Sequence, residues 1–289
     1  VDLLQPCLAS LRPTLETVES ELIVVDNDSS SPDTRSLLAM LEAAGHRVLP
    51  VPGPFNYAHL CNRAVAAARG QFILLLNNDI EAKEEGWLQE LLGRMAEPTV
   101  DAVGAVLRWP SGVVQHAGIV LGTGEGLPLH AGRHAAFDDP GPGARYVTQH
   151  DAAAVTGAFL AMRREVLAEI GGFDCARLPI AYNDIDVCLR ARAAGYRVRY
   201  CPQIELLHHE SKTRGRTRTV DEAAWDDAEL ADIHATWGDA LTIDPSINPQ
   251  WALGGAAFDG LREPGMSEIL AFIDRSAAPD PWRVTKLRP

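Results

Sequence analysis

The sequence predicts an α/β fold in which helices flank a mostly parallel central sheet. Short apolar runs alternate with amphipathic stretches over roughly the first hundred residues, which is typical of consecutive βα units. The longest apolar run, Phe72 to Leu76, has the length of a buried strand. Polar clusters directly follow two of the predicted strands, and open α/β sheets bind their ligands at the carboxyl ends of strands.

In the first part of the chain, each predicted strand is followed by a helix. After an opening helix near Leu11, strands are predicted at 22–25, 47–51, 72–76 and 101–107. The helices that alternate with them begin after Ser31, at the cap residue Asn56 and at Trp87. Glycines end two of these helices, since glycine adopts the left-handed conformation that closes a helix.

This alternation stops after residue 107. A turn at 110–112 leads into a predicted strand at 113–121, and the Gly-, Pro- and His-rich stretch 122–143 predicts a long loop near a functional site. The second half adds predicted helices at 163–170, 183–194 and 220–237, and strands at 197–200 and 204–207. Beyond Pro245, only a short helix near Ile269 is indicated.

Charge and cysteine content exclude several classes of protein. The formal net charge of −13 argues against nucleic acid as a partner, because proteins that bind a phosphate backbone carry basic faces. The five cysteines form no CxxC pair, which is typical of reduced core thiols. We expect a cytoplasmic protein, compatible with peripheral contact at the inner face of the cell membrane. The chain begins with Val1, so we expect a fragment or a trimmed form.

Two polar clusters follow predicted strands and would face one crevice. Asp26, Asn27 and Asp28 follow the strand at 22–25, and Asn77-Asn78-Asp79 follows the strand at 72–76. Such oxygen-bearing side chains hydrogen-bond a nucleoside or bind Mg²⁺ or Mn²⁺. They also cap helices and form turns, and for Asp26 to Asp28 both interpretations stand. For Asp79 the functional interpretation is favoured, because it ends the most apolar strand.

Two further clusters carry groups that can act chemically. Asp184 and Asp186 lie at the start of a predicted helix, whose dipole keeps a carboxylate ionised and available as a base; spacing alone favours helix capping there. His208 and His209 end a predicted strand and can complete a metal site with Asp79, or serve the structure. The basic segment that follows, 212–218, can clamp a diphosphate or form a solvated loop.

Taken in order, these segments resemble those of the family 2 glycosyltransferases, from near Leu3 to about Pro249. The matching segments are 21–30, 55–57, 77–79, 155–158, 171–174, 183–190 and 208–211. The resemblance implies the GT-A fold, with a nucleotide-binding half at 1–107, an acceptor and catalytic half at 108–244, and a C-terminal extension at 245–289. The family's usual first strand has no counterpart before Asp2.

The resemblance also implies a role for individual residues. It implies Asp184 as the catalytic base and a Mn²⁺ or Mg²⁺ ion held by Asp79 and His208. Contacts to a UDP- or dTDP-linked sugar are implied for Asp26, Asn27, Asn56, Asn77, Asn78, Lys212 and Arg214. Contacts to a glycan, a lipid-linked molecule or another hydroxyl acceptor are implied for Gly157, Gly172 and Asp186.

Two other functions stay open at this point. A sugar nucleotidyltransferase also uses an α/β sheet and a divalent metal, and it would release pyrophosphate. A domain that keeps the fold without activity is the second alternative, because the first strand has no counterpart and Asn77 stands where many relatives have Asp. No Walker, HExxH or GxSxG motif is present, and the series Gly122, Gly124 and Gly126 opens no predicted helix.

Overall fold

The fold is described by a computed structural model that covers residues 1–123, 127–210, 220–242 and 244–287. In these ranges the α-helices are α1 (Leu4–Leu15), α2 (Pro32–Ala43), α3 (Tyr57–Ala67), α4 (Trp87–Met95), α5 (Arg164–Glu169), α6 (Asn183–Ala194), α7 (Val220–Trp237) and α8 (Met266–Ser276). The strands are β1 (Ile23–Asp26), β2 (Arg47–Pro50), β3 (Phe72–Leu76), β4 (Ile80–Ala82), β5 (Ala102–Arg108), β6 (Val114–His116), β7 (Ile119–Val120), β8 (Leu129–His130), β9 (His150–Asp151), β10 (Phe159–Arg163) and β11 (Val198–His208).

The central sheet has the order β3-β10-β5-β11-β4, with β6 paired to β5 and β9 paired to β11. The predicted α/β class is confirmed. The expectation of a mostly parallel sheet is wrong, because β10 pairs antiparallel with both β3 and β5, and only β5 and β11 pair in parallel within this sheet. A strand buried on both faces is a short apolar run in either direction, so the sequence pattern does not reveal its orientation.

The first two strands form a separate parallel pair. Ile23 lies opposite Arg47, and the register continues to Asp26 opposite Pro50. Among the described residues, this pair shares no backbone pairing with β3, which is an edge strand of the larger sheet. No backbone pairing therefore joins the β1-β2 pair to the larger sheet among the described residues.

The large sheet separates two hydrophobic cores. All of β5 is buried, and its side chains alternate between the cores: Val103 and Leu107 pack with α1 and α4, whereas Ala102 and Val106 pack with α3 and α6. Alternation is expected because successive side chains of a strand point to opposite faces. Helices cover both faces, and β5 lies at the centre of the molecule.

Several predicted elements differ in detail. The predicted strand 113–121 is two strands, β6 and β7, because Gly118 between them has a φ of 90° that favours glycine. The predicted strands 197–200 and 204–207 are one strand, β11, with a shift in register between them. The stretch 122–143, predicted as a loop, contains β8, which pairs with β7.

The residues after Pro245 contact the core. The Nε atom of Arg192 donates to the carbonyl of Trp282 at 2.8 Å, and the Leu287 amide donates to the carbonyl of Thr236 at 3.0 Å. Helix α8 contributes no buried residue to this contact. None of the described helices is both long and apolar enough to cross a membrane.

The sheet centre leaves no room for a side chain at Gly104. An added Cβ there would lie 2.4 Å from the Cβ of Val155, an atom that cannot rotate away. We expect Gly104→Ala to lower the free energy of unfolding by about 1–3 kcal/mol, measured by urea denaturation. Gly93→Ala is the matched control, because Gly93 is exposed on helix α4 and no atom lies within 4 Å of its added Cβ. Equal stability of the two variants would contradict this packing.

Candidate active site

The candidate site lies at one edge of the central sheet. Because β10 pairs antiparallel with β3 and β5, and β5 pairs in parallel with β11, the strands β3, β5 and β11 run in the same direction. Their carboxyl ends therefore meet at the same edge. Asp79 follows β3 and His208 ends β11, so both belong to this edge.

Strand β4 brings Asp79 beside His208. Its first residue, Ile80, lies opposite His208 in an antiparallel pair, and the His209 amide donates to the Asp79 carbonyl at 2.9 Å. The Asp79 Oδ1 atom consequently lies 3.2 Å from His208 Nε2, and both side chains are largely buried. Burial alone would raise the pKa of Asp79, but His208 beside it more than offsets this, and the pKa lies below its ordinary value.

The two ring nitrogens of His208 have different partners: Nδ1 faces Gln115 and Nε2 faces Asp79. The Gln115 Nε2 atom donates to Glu210 at 3.0 Å, so its Oε1 atom is the one 2.6 Å from His208 Nδ1. A carbonyl oxygen only accepts, so Nδ1 carries a proton, and Nε2 is the ring nitrogen left to bind either a proton or a cation. Asp79 Oδ1 is buried and accepts no hydrogen bond from the described residues.

This pair fits a divalent cation. An imidazole nitrogen that has given up its proton and a carboxylate oxygen are both ligands of Mn²⁺. An outer residue that fixes the histidine tautomer, as Gln115 does, is usual for metal-bound histidine. In the described part of the chain, no group of three or more His, Cys, Asp or Glu side chains is placed so that it could hold a metal ion. Water and substrate oxygens are ligands that would complete the shell of such an ion.

His209 has different surroundings from its neighbour. Its Nε2 atom lies 2.8 Å from Glu81 Oε1, because alternate residues of an extended segment point to opposite sides. The sequence alone did not separate the two histidines. The geometry makes His208 the member of the pair that faces Asp79.

Asp184 lies in the first turn of α6, at the same edge of the sheet. Its Oδ2 atom accepts a hydrogen bond from the Gly157 amide at 2.8 Å, and its Oδ1 atom accepts one from the Ile185 amide at 2.9 Å. Burial raises the pKa of Asp184, and these bonds offset only part of that effect. A carboxylate of raised pKa in a fixed orientation is suited to accept a proton.

A two-residue segment links Asp184 to the Asp79 region. Gly157 donates to Asp184, and the carbonyl of the next residue, Ala158, accepts from the Asn77 amide at 3.0 Å. The Tyr57 hydroxyl donates to the Gly157 carbonyl at 2.9 Å. Gly157 therefore positions Asp184, and its acceptor contact remains a prediction.

The predicted nucleoside residues divide into two kinds. Asp26 and Asn78 line one cavity of about 340 Å³. The Asn27 amide nitrogen instead donates to the carbonyls of Val51 at 2.8 Å and Gly53 at 3.0 Å, which ties β1 to the chain beyond β2. The contact expected between Asn27 and the nucleoside does not use this nitrogen, since both its hydrogens are engaged.

Asn56 has a structural role in the geometry. Its Oδ1 atom accepts from the His59 amide at 2.8 Å and caps α3, and its nitrogen donates to the Cys175 carbonyl at 2.9 Å. These bonds join the two halves of the domain and leave the donor contact expected of Asn56 unsupported. Lys212 and Arg214, the predicted diphosphate contacts, lie outside the described residues.

Two of the expected acceptor residues have contacts within the fold that account for them. Gly172 has a φ of 67°, and an added Cβ would lie 2.5 Å from Asn62 Oδ1, so close packing explains the glycine. Asp186 is only 2% exposed. Its oxygens accept from Arg190 at 2.8 Å and from the Trp237 indole at 3.0 Å. Asp186 thus braces α6 against α7, and the acceptor contacts of both residues stay predictions.

The sequence reasoning missed Gln115 and Tyr57. Gln115 lies in β6, a short strand whose three residues are all buried, and a buried polar side chain calls for a partner. That signal was present in the sequence. Tyr57 directly follows the helix cap Asn56, and its hydroxyl crosses to Gly157, a contact that only the tertiary structure reveals.

Residues 1–171, more than half of the chain, match the family described as Glycosyl transferase family 2. The chain is a family 2 glycosyltransferase. The glycosyltransferase is 38% identical to the Sinorhizobium fredii protein y4gI over 84% of this chain and 28% of that protein. It is 36% identical to the O-antigen biosynthesis protein RfbC of Myxococcus xanthus over 77% of this chain and 17% of that protein. The chain thus spans less than a third of either relative.

The fold of this glycosyltransferase also has a solved counterpart. The crystal structure of GalNAc-T7 with UDP, GalNAc and Mn²⁺ superposes with a TM-score of 0.57 at 13% identity. The match covers 71% of this chain and 41% of that one. The shared architecture is the GT-A fold, as the sequence resemblance implied.

The arrangement of the two histidines predicts different effects on metal affinity. With UDP present, we expect His208→Gln and Asp79→Asn to weaken Mn²⁺ binding by more than the roughly 10–100-fold that outer-shell partners contribute. His209→Gln is the control and should bind Mn²⁺ as the parent does, because its ring faces Glu81. Isothermal titration calorimetry measures each affinity, and a larger loss in His209→Gln than in His208→Gln would rule out this assignment.

Proposed function

We propose that this glycosyltransferase moves a sugar from a UDP- or dTDP-linked donor to a hydroxyl group of a glycan or lipid-linked acceptor, with inversion of configuration. The observation that carries the proposal is the Gly157-Ala158 segment, which binds both the base candidate Asp184 and the backbone next to Asp79. A base and a cation site held by adjacent peptides are what such a displacement needs. The matched description of RfbC, O-antigen biosynthesis, supports a glycan acceptor.

In the proposed reaction, Asp184 takes the proton of the acceptor hydroxyl. The acceptor oxygen attacks the anomeric carbon, and the bond from that carbon to the diphosphate breaks as the new one forms. In-line attack inverts the configuration at that carbon. The two amide bonds to Asp184 hold its carboxylate in one orientation, so no reorientation is needed when the proton arrives.

Asp79 and His208 would hold the Mn²⁺ or Mg²⁺ ion. Such an ion, when bound, neutralises the negative charge that grows on the departing diphosphate. Gln115 accepts from His208 Nδ1, which leaves Nε2 as the nitrogen that would bind the ion. The presence of Mn²⁺ in the GalNAc-T7 structure supports the choice of metal.

The cavity lined by Asp26 and Asn78 is the proposed nucleoside site. Its volume of about 340 Å³ lies within the roughly 300–1,000 Å³ that small-molecule pockets occupy. Asp26 uses one carboxylate oxygen, Oδ1, to accept from the Ser29 amide at 3.0 Å. The other oxygen can accept from a ribose hydroxyl or a base N–H.

A donor screen tests the reaction class. The enzyme is incubated with UDP-, dTDP- and GDP-sugars and Mn²⁺, with and without chelator, and the released nucleotide is identified by chromatography. We expect a nucleoside diphosphate to be released from a UDP- or dTDP-sugar and this release to stop with chelator. Release of pyrophosphate from sugar phosphate and nucleoside triphosphate would instead indicate a nucleotidyltransferase. Release that persists with chelator would remove the metal from the mechanism.

Two isosteric substitutions on α6 separate catalysis from structure. We expect Asp184→Asn to lower kcat by about 10²–10⁴-fold with donor affinity unchanged, because a general base contributes that much. Asp186→Asn should keep kcat within severalfold and lower the thermal midpoint, because it weakens the bond to Arg190. Steady-state kinetics and thermal unfolding measure both effects. The reverse pattern would refute Asp184 as the base.

A further inference from the structure

A second cavity, of about 230 Å³, shares no residue with the candidate active site. It lies beside β9, where His150 pairs with Tyr200 of β11. Tyr200 precedes His208 by eight residues along the same strand, which corresponds to roughly 25 Å at the rise of an extended chain. The side chains that matter in its lining are Arg145, Thr148, His150, Ser246, Trp251 and Phe258.

Arg145 brings unpaired positive charge to this cavity. Its guanidinium makes no hydrogen bond or ion pair with any residue in the described ranges, and its Nε atom is buried. The Phe258 ring lies 5.7 Å from it. The buried carboxylate of Asp244 attracts both Arg145 and Arg192, so two cations share one anion there. Asp244 itself already accepts from the amide and hydroxyl of Ser246.

Burial makes this charge costly. It lowers the pKa of Arg145, although the group remains protonated at physiological pH because a guanidinium pKa is so high. A buried cation without a hydrogen-bonded anion is destabilising, and Arg145 has none among the described residues. An anion with two oxygens matches the guanidinium fork. The cavity therefore suits an anion with two oxygens next to Arg145.

His150 adds a hydrogen-bond acceptor with a known tautomer. Its Nδ1 atom lies 2.8 Å from the Thr148 carbonyl, which only accepts, so Nδ1 carries the proton. Burial, together with the nearby charge of Arg145, lowers the pKa of His150 to about 4, so the ring is neutral near pH 7. Its Nε2 atom is buried and has no hydrogen-bond partner among the described residues. A ligand hydroxyl would supply the missing hydrogen.

Two aromatic rings form the apolar part of the lining. Trp251 and Phe258 meet edge to face, with centroids 5.4 Å apart. Phe258 has a φ of 68°, a conformation that bulky residues rarely adopt and that costs on the order of 1–3 kcal/mol. The surrounding contacts keep this ring against Arg145 and Trp251. Large rigid rings suit the C–H face of a sugar, whose hydroxyls then point to polar partners.

We propose that this cavity binds one sugar residue that carries a carboxylate or a phosphate group. Arg145 pairs with the anionic group, His150 accepts from a hydroxyl, and Trp251 and Phe258 contact the ring. The volume, below the roughly 300 Å³ of pockets for larger ligands, matches a single sugar residue. The site goes beyond the proposed transfer reaction and does not depend on it.

Binding is tested with glucuronic acid, glucose 1-phosphate, glucose and inorganic phosphate, by ligand-observed proton and phosphorus NMR on the enzyme saturated with UDP and Mg²⁺, which is diamagnetic. We expect at least one anionic sugar to bind about tenfold or more tightly than glucose and than phosphate, since only it uses both the guanidinium and the rings. The tighter of the two identifies the anion. The proposal would be overturned if glucose or inorganic phosphate bound as tightly as the anionic sugars. It would also be overturned if neither anionic sugar bound.

Three variants assign the binding to this cavity. Arg145→Gln should lower the affinity for the anionic sugar by about 10- to 100-fold. Trp251→Leu changes a partly exposed ring, so it should lower the affinity for the anionic sugar without changing the thermal midpoint. Asp184→Asn should bind it as the parent does, which separates this site from the transfer site. If Arg145→Gln does not fold, Trp251→Leu decides alone. Unchanged affinity in Trp251→Leu, or a loss in Asp184→Asn, would refute the proposal.

Discussion

The candidate active site depends on two consecutive peptide groups, those of Gly157 and Ala158. The Gly157 amide binds the Asp184 carboxylate, and the Ala158 carbonyl binds the Asn77 amide at the end of β3. Backbone groups are fixed by the sheet, so they hold the start of α6 and the end of β3 in one register without long side chains. A side chain at Gly157 would contact Asp184 Cβ at 3.4 Å, and the glycine keeps this junction close.

The two carboxylates of the site differ because their surroundings differ. Both are largely removed from water, which raises the pKa of a carboxyl group. At Asp79 the neighbouring His208 reverses that effect, whereas at Asp184 two amide bonds offset only part of it. Asp79 is therefore suited to bind a cation and Asp184 to receive a proton, because the neighbours of each carboxylate set its pKa.

Much of the site could be predicted because its residues follow strands or begin a helix, positions that sequence patterns mark. Asp79, Asp184 and His208 are such residues. The patterns do not show whether a polar side chain at such a position is already engaged. Asn27 and Asp186 carry polar groups that could bind a ligand, yet those groups are engaged within the fold. Asn27 binds the carbonyl of Val51, which is distant in the sequence, and Asp186 binds Arg190 on the next helical turn. Only the tertiary contacts distinguish these cases.

The element that the sequence did not reveal is also the one that assembles the site. Strand β10 runs antiparallel between β3 and β5, so its first residue, Phe159, lies opposite Leu76 at the carboxyl edge of the sheet. In a parallel orientation this residue would lie at the opposite edge, roughly 15 Å away at the usual rise per residue. Gly157 and Ala158 would then be out of reach of Asn77. The antiparallel strand is therefore a requirement of the site, and an all-parallel sheet of these segments could not build it.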